Sequence, residues 1–367
     1  MKTRVSIVKC GTYDIDTVQA ASERAFELLG GLDAFIKNGE RVLLKPNMLS
    51  SRPPEHGVNT HIEVIRACAR LVKKQGAIPV IGDNPGGSIT ARQAYEGSGL
   101  LDMAKEEGLE CLDVKDVKMV QGMPIASYFF ECDKIISIPK MKTHSLMTMT
   151  GAIKNMYGAV TGLNKSQLHK RFPRPDDFAC VIVDVFQAVK PCLVLMDGIV
   201  AMHGNGPASG TLRDVGLLIA GEDSVAVDSV FSGLIGIDPF KIATIKQAAK
   251  RSLGQADLKD IEIVGESLEK NMIQGFRLPA STMLSAIPGP VVRLLTGLIK
   301  FGLRINEGLC KKCMICAKTC PVSAITIDDK ISRIDSKKCI RCMCCHEVCP
   351  YNAVELRRNI LARLFGL

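Results

Sequence analysis

Apolar runs alternate with amphipathic stretches through the first three quarters of this 367-residue chain. Continuous Val, Ile and Leu runs are typical of strands buried on both faces, and apolar residues spaced by three and four predict helices. In chain order, the strand-like runs are VSIV, RVLLKPN, IPVIGDN, KIISIP, CLVLMDGIV and VGLLIAG. Stretches such as THIEVIRACARLVKKQG and DDFACVIVDVFQAVKP lie between them. The alternation predicts an α/β fold, with a mainly parallel sheet and helices on both faces.

The pattern changes after residue 275 and predicts four regions. They are an α/β ligand-binding domain (1–275), an interdomain linker and helix (276–307), a small α+β ferredoxin-like domain (308–358) and a C-terminal tail (359–367). The linker contains a proline break and then a basic amphipathic run, which we expect to cover an apolar seam between the domains. A helix lying on a membrane surface is the alternative, and we rank it second.

Cysteines in the last region follow the spacing C-x2-C-x2-C-x3-C-P twice, with the second copy 29 residues after the first. In this arrangement the fourth cysteine of each copy ligates the cluster of the other copy. We therefore predict two 4Fe-4S clusters. The first would be held by Cys310, Cys313, Cys316 and Cys349, and the second by Cys339, Cys342, Cys345 and Cys320.

The alternatives for these cysteines fit less well. A zinc ribbon needs two CxxC pairs without the third cysteine, and a disulfide framework needs an oxidising compartment. Cys344 is an additional cysteine within the second copy, and we expect a small buried residue in preference to a spare ligand.

Composition and charge narrow the range of possible functions. Aromatic residues make up 5% of the chain and Trp is absent, which argues against a stacking surface for nucleic acid. Residues 276–367 hold 15 of the 47 Lys and Arg residues but 6 of the 38 Asp and Glu residues, which accounts for the whole net charge of +9. Cations near anionic clusters lower the cost of holding them, and an acidic redox partner also fits. We find no uninterrupted run of eighteen apolar residues, so we expect a cytoplasmic protein without a transmembrane segment.

Polar residues follow several of the predicted strands at their carboxyl ends, where parallel sheets bind ligands. The stretch IPKMKTHSLMTMTGAIKN is the most unusual, because lysines at the end of a buried strand either face a pocket or lose hydration without compensation. We predict an anion-binding site that contains Lys45, Asn47, Asp83, Lys140, Lys142, His144, Lys154, Asn155 and Asp197.

Taken singly, these residues have ordinary interpretations. Asp83 and Asp197 could each belong to a simple turn. His169 and Lys165 fall in a Gly- and Pro-rich basic segment that we expect to be solvated. The glycines at 204–210 depart from the dinucleotide-binding pattern.

The ordered motifs LLKPN, IGDNPGG, IPKMKTH, GAIKNMYG, DGIVAMHGNGP and AVD resemble the family catalogued as domain of unknown function 362, which is often fused to a ferredoxin module. The resemblance extends over essentially the whole chain. It implies an iron–sulfur protein of redox role and adds Gly206 and Asp228 to the single predicted site.

Two functions follow from these observations. In the first, a ferredoxin-linked oxidoreductase passes electrons through both clusters to a small anionic substrate or organic cofactor. The lysines would hold the anion, His144 would donate a proton, and Asp197 or Asp83 would orient a donor or a metal. A two-electron reduction would need both clusters or an added flavin, for which the sequence has no clear motif. In the second, the chain is an electron carrier whose large domain docks a redox partner protein.

Overall fold

The computed structural model describes residues 2–279, 301–328 and 331–358. The amphipathic run predicted as an interdomain helix lies mainly outside the described residues, as does the tail at 359–367. The strands are β1 (Thr3–Lys9), β2 (Arg41–Pro46), β3 (Ile78–Ile81), β4 (Glu110–Cys111), β5 (Val117–Val120), β6 (Met123–Ala126), β7 (Lys134–Ile138), β8 (Lys140–His144), β9 (Thr148–Thr150), β10 (Leu193–His203), β11 (Thr211–Gly221), β12 (Ile261–Gly265), β13 (Phe301–Ile305), β14 (Ile325–Ile327), β15 (Ser332–Ile334) and β16 (Val354–Arg358).

The α-helices of the described residues connect these strands. They are α1 (Ile15–Glu27), α2 (Ile62–Lys74), α3 (Ala91–Gly97), α4 (Leu100–Glu106), α5 (Tyr128–Glu131), α6 (Ala152–Asn155), α7 (Asn164–Arg171), α8 (Pro175–Ala188), α9 (Ser224–Leu234), α10 (Ala243–Lys250), α11 (Ile315–Thr319) and α12 (Cys344–Val348).

One large sheet forms the centre of the molecule, in the order β12-β1-β11-β10-β7-β2-β3-β4, with β8 paired to β10 and β9 paired to β8. Six of its pairings are parallel, and β1–β11, β10–β11 and β8–β9 are antiparallel. Neighbouring residues of one strand face opposite sides, so Leu195 and Met196 of β10 enter different apolar cores. Helices α1 to α4 cover one side, and α6, α8, α9 and α10 cover the other. The predicted α/β class is confirmed.

A proline changes the predicted fourth strand. The run KIISIP forms β7, and Pro139 interrupts the pairing because it has no backbone N–H. The chain then continues as β8, where Lys140 pairs with Asp197 of β10. Lys140, Lys142 and His144 therefore lie within a buried strand, whereas the sequence placed them just past the end of one.

The C-terminal module consists of two antiparallel strand pairs, β13–β16 and β14–β15, with α11 and α12 against them. Its small core includes Cys316, Cys345 and Cys349. β13 falls in the range that we predicted as linker, yet it pairs with β16 and so joins this module. The predicted small α+β ferredoxin-like domain is confirmed.

Candidate functional site

The two cysteine motifs have the same backbone conformation. Non-glycine residues adopt positive φ at three positions of each motif, and the members of each pair are 29 residues apart: Lys312 and Arg341, Met314 and Met343, and Ser323 and Asn352. L-residues rarely adopt this conformation, so its repetition indicates a shared structural requirement. The backbone N–H of Ala324 donates to Cys320 Sγ at 3.3 Å, and that of Ala353 donates to Cys349 Sγ at the same distance.

Thiols that belong to the same predicted set lie near one another. Burial, and then the neighbouring thiols of Cys349, Cys313 and Cys310, raise the pKa of Cys316 to about 11. The four cysteines of the second set, Cys320, Cys339, Cys342 and Cys345, line a single cavity, which we name the second-cluster cavity. Four thiols per group and N–H donors aimed at sulfur are what a 4Fe-4S cluster requires, so the residues fit the two predicted clusters.

Cluster ligands must be distinguished from a site for a single ion. No group of three or more His, Cys, Asp or Glu side chains in the described ranges is arranged to hold one metal ion. A cubane binds each cysteine through a different iron, so its ligand sulfurs lie farther apart than the ligands of one ion.

A second cavity lies between the large domain and the C-terminal module. This interdomain cleft has a volume of about 630 Å³ including its open mouth. The large domain contributes Asn47, Met48, Leu49, Asp83, Asn84, Gly86, Gly87, Thr150, Lys154, Asn155, Tyr157, Gly158, Lys165, Ser166 and His169, and the C-terminal module contributes Thr319, Cys344, Glu347 and Val348. Cys344 thus lines both this cleft and the second-cluster cavity.

Several polar atoms that line the cleft are buried without a hydrogen-bond partner in the described part of the chain. They are Asn47 Oδ1, Thr150 Oγ1, His169 Nδ1 and Glu347 Oε1. Lys154 Nζ also makes no hydrogen bond or ion pair to any described residue. Buried polar groups are rarely left without a partner, so this concentration in one cavity indicates a place for a polar ligand.

Two lysines, a histidine and the carboxylates of Asp83 and Glu347 give the cleft its electrostatic character. Burial lowers the pKa of Lys154, and Glu347 opposes that shift. Burial lowers the pKa of Lys165 to about 7 and that of His169 to about 3. His169 is therefore a neutral imidazole at pH 7, while Lys165 is poised between its two protonation states. Lys165 Nζ donates to the carbonyls of Asn84 and Pro85, which direct it toward the cleft.

A buried ion pair forms the floor of the cleft. Lys45 Nζ lies 2.7 Å from Asp83 Oδ1, and both side chains are at most 2% exposed. Lys45 Nζ also donates to Asn155 Oδ1 at 3.2 Å, while Asp83 accepts the N–H groups of Met48 and Asn84. Burial lowers the pKa of Lys45 despite the attraction of Asp83. Four of the predicted site residues, including Asn47, thus meet at the ends of β2 and β3.

A second buried pair lies apart from the cleft lining. Lys140 Nζ is 2.7 Å from Asp197 Oδ2 and 2.6 Å from the hydroxyl of Tyr13, which donates to Asp197 Oδ1. The ring of Tyr13 stacks on His61 at 3.6 Å. Asp197 lies beside the irregularity in β10–β11 pairing that follows Gly198. Every partner of this pair among the described residues belongs to the large domain, so the pair joins β8 and β10 to the N-terminal segment.

His144 and Lys142 face the C-terminal module. His144 Nδ1 accepts the N–H groups of Leu146 and Met147, so in the neutral ring Nε2 carries the proton. Nε2 lies 3.3 Å from Glu347 Oε1, yet the orientation leaves both atoms without a hydrogen bond in the described residues. Burial, and then Lys154, lower the pKa of His144 well below its usual range. Lys142 Nζ donates to the carbonyl of Val58.

The two remaining predicted residues support neighbouring segments. Asp228 accepts the N–H groups of Ala152 and Ile153 at 2.6 and 3.1 Å, so it caps α6, the helix that carries Lys154. Burial raises the pKa of Asp228 to about 7. Gly206 lies so close to β8 that an added Cβ would be 2.2 Å from the carbonyl oxygen of Thr143.

Contacts between the two domains were not predicted from the sequence. Arg52 is 4% exposed and donates to the carbonyls of Ala208 and Cys349 and to Asn352 Oδ1. The carboxyl end of β3 continues into Gly87, where an added Cβ would lie 2.8 Å from Val348 Cγ1. Gly86 and Gly87 therefore permit close approach of the C-terminal module.

Two further cleft residues differ from the sequence expectation. The segment expected as a solvated basic loop contains α7, which turns His169 and Lys165 inward against the cleft. The almost wholly polar sequence of α7, NKSQLHKR, gives no local signal for this.

Comparisons with known proteins agree with the motifs. Residues 42–232 match the family described as domain of unknown function (DUF362), and residues 302–350 match a 4Fe-4S dicluster domain. The chain is 34% identical over 266 residues to the thylakoid-associated protein sll1697 of Synechocystis sp., which covers 69% of this chain and 80% of that protein. A crystal structure from Thermotoga maritima is 10% identical over 53% of this chain and 52% of that one, with a TM-score of 0.33, too low to carry an argument.

These comparisons bear on cofactor, location and family. The dicluster match supports the predicted 4Fe-4S clusters and assigns iron–sulfur electron transfer to the C-terminal module, and it gives no support to a flavin. No helix within the described ranges is long and apolar enough to cross a membrane, and the cytoplasmic location stays a prediction. The predicted family is confirmed, and the chain belongs to the DUF362 family, with a 4Fe-4S dicluster domain at its C-terminal side.

Proposed function

We propose that the chain is an oxidoreductase that passes electrons from its clusters to a small anionic substrate in the interdomain cleft. The clusters, when bound to the eight cysteines, supply electrons one at a time. The observation that carries the proposal is the position of Cys344, which lines both the second-cluster cavity and the cleft. A substrate in the cleft would therefore be separated from the second set of cysteines by one small side chain.

The charge of the cleft supports an anionic ligand. Lys154 and Lys165 supply cations, and Thr150 supplies a hydroxyl without a partner in the described residues. Ammonium groups stripped of much of their water bind carboxylate or phosphate more strongly than exposed ones do. Asn47 Oδ1 and Glu347 Oε1 would accept hydrogen bonds, so a substrate that also bears N–H or O–H groups fits best.

Protons for the reduction would come from the same cleft. Lys165 has a pKa of about 7, which is the range in which a side chain both holds and releases a proton at neutral pH. His169 would orient the substrate through its ring nitrogen. We retain His144 in the site as the residue that faces Glu347, and Lys142, Lys140 and Asp197 as the buried side chains that hold β8 and β10 in position.

The principal alternative is the electron carrier, in which the large domain docks a partner and the cleft holds no substrate. A flavin is not required, because two clusters can supply two electrons in succession. The name of the Synechocystis relative also suggests that association with a membrane surface is worth testing for this chain.

The test is to purify the protein without oxygen, measure iron and sulfide, and identify small molecules released by acid. We expect about eight irons and an organic anion in the wild type. The variant Lys154→Met should keep the irons and lose the anion, because its ammonium group is the cleft cation without a protein partner in the described residues. Lys241→Met, at an exposed position of the large domain, is the matched control and should keep both.

If nothing is released, oxalate serves as the probe, with binding measured by calorimetry. Oxalate binding to the wild type that is lost in Lys154→Met would support the cleft. Equal binding to both proteins, or to neither, would reject the anion site and favour the carrier.

A further inference from the structure

The two cysteine motifs have the same backbone conformation but differ in how far the large domain covers them. The second motif continues into α12, where Cys344, His346, Glu347 and Val348 are all buried. His346 Nε2 lies 3.5 Å from the carbonyl oxygen of Asn205 in the large domain. The large domain therefore covers the second motif.

The first motif is more open to solvent at its ligands, although Arg341 of the second motif is exposed like its counterpart Lys312. Of the eight predicted cluster ligands, all of them described, Cys313 alone is exposed. Lys311 and Lys312 between Cys310 and Cys313 are also exposed, whereas Ile340 of the second motif, which corresponds to Lys311, lines the second-cluster cavity. Electron transfer needs close approach, so the exposed ligand marks the side on which another protein can reach the first cluster.

The exposed side chains around Cys313 are mainly basic. Lys318 at the end of α11 is exposed, like Lys311 and Lys312. The carboxylate of this stretch is Glu307, also exposed, while Arg304 lies 2.7 Å from Glu355. Exposed cations around an exposed ligand can attract an acidic protein, in addition to offsetting the charge of an anionic cluster.

We propose that residues 310–313 together with Lys318 form the docking surface for an acidic one-electron carrier protein, which reduces the first cluster. The donor would lose one electron, and the cluster that Cys310, Cys313, Cys316 and Cys349 would hold would accept it, with no bond formed and no proton moved. The second motif, buried against the large domain, then serves the cleft. This docking surface does not depend on the cleft holding a substrate, so each proposal can fail without the other.

The test uses the complete protein with its clusters and a flavodoxin as the acidic donor. Binding of oxidised flavodoxin and the rate of reduction by reduced flavodoxin are measured from about 20 mM to about 300 mM salt, a range over which screening between exposed charges becomes strong. Association steered by charge is enhanced by a factor of ten or more, so we expect affinity and rate to fall at least about tenfold across this range.

At low salt, the variant Lys311→Glu/Lys318→Glu should show a similar fall in flavodoxin affinity and in reduction rate, with its iron content unchanged. Lys241→Glu/Lys246→Glu introduces the same charge at exposed positions of the large domain and should bind flavodoxin like the wild type. Reduction by a neutral photoreduced flavin should proceed at the same rate in all three proteins.

Three results would overturn the proposal. Equal losses in the two variants would indicate non-specific attraction. A slower reaction of Lys311→Glu/Lys318→Glu with the neutral flavin would indicate a changed cluster instead of a docking surface. Unchanged flavodoxin binding, with these lysines needed for sedimentation with anionic lipid vesicles, would assign the surface to a membrane.

Discussion

The buried pair of Lys45 and Asp83 provides a quantitative prediction about the floor of the cleft. In Asp83→Ala the Lys45 ammonium group keeps its burial but loses its carboxylate partner, 2.7 Å away. Removal of one partner of a buried pair costs about 3–5 kcal/mol. The N–H groups of Met48 and Asn84 also lose their acceptor, at about 1–3 kcal/mol for a buried group left unpaired. Since such losses overlap, we expect a total of about 5 kcal/mol.

The measurement is anaerobic urea unfolding, followed by circular dichroism of the large domain. Lys45→Met/Asp83→Leu removes both charges and should recover part of the lost stability, because it leaves no unpaired ion in the interior. Glu262→Ala breaks the exposed pair with Arg4, 3.1 Å apart, and should cost at most about 1 kcal/mol. A loss below about 2 kcal/mol in Asp83→Ala would show that Lys45 releases its proton or reaches water, against the buried pair described above.

Three other changes test the cleft. In Gly87→Ala the new Cβ meets Val348 at 2.8 Å and the backbone keeps a φ of +77°, so we expect about 1–3 kcal/mol of destabilisation. Hydrogen exchange should become faster at the amides where the two domains meet. Because the pKa of Lys165 is lowered to about 7, oxalate binding should weaken as pH rises through 7, and Lys165→Arg should remove this dependence in calorimetry. The pKa of Asp228 is raised to about 7 from an ordinary value of 3.8, so its stabilising contribution is complete below pH 3.8 and is lost as pH rises through 7. Asp228→Asn should flatten that part of the pH profile in urea unfolding, and an unchanged profile would contradict the assignment.

The parts of the molecule that local pattern determines could be predicted from the sequence. Cysteine spacing determines which thiols meet, because each cluster loop closes over a few residues, and continuous apolar runs indicate buried strands. Lys45 and Asp83 were placed correctly at neighbouring strand ends, since parallel strands bring their carboxyl ends to one edge.

Long-range packing determined the parts that could not be predicted. Lys140 was expected just past the end of a strand because its pairing with Asp197, 57 residues later, leaves no local signal. The inward position of His169 depends on α7 packing beside α8 and against the cleft. Arg52 gave no signal, because its partners Cys349 and Asn352 come from the other end of the chain. The cleft exists because a distant module covers the end of β3.

The central claim is that an anion in the interdomain cleft lies beside the second cluster. The most direct test is electron–nuclear double resonance on dithionite-reduced protein that contains carbon-13-labelled oxalate. We predict a carbon-13 coupling to the reduced clusters that is lost in Lys154→Met and retained in Lys241→Met. If the wild type binds oxalate but shows no carbon-13 coupling, the anion lies away from the clusters. That result would contradict the proposed position of the anion.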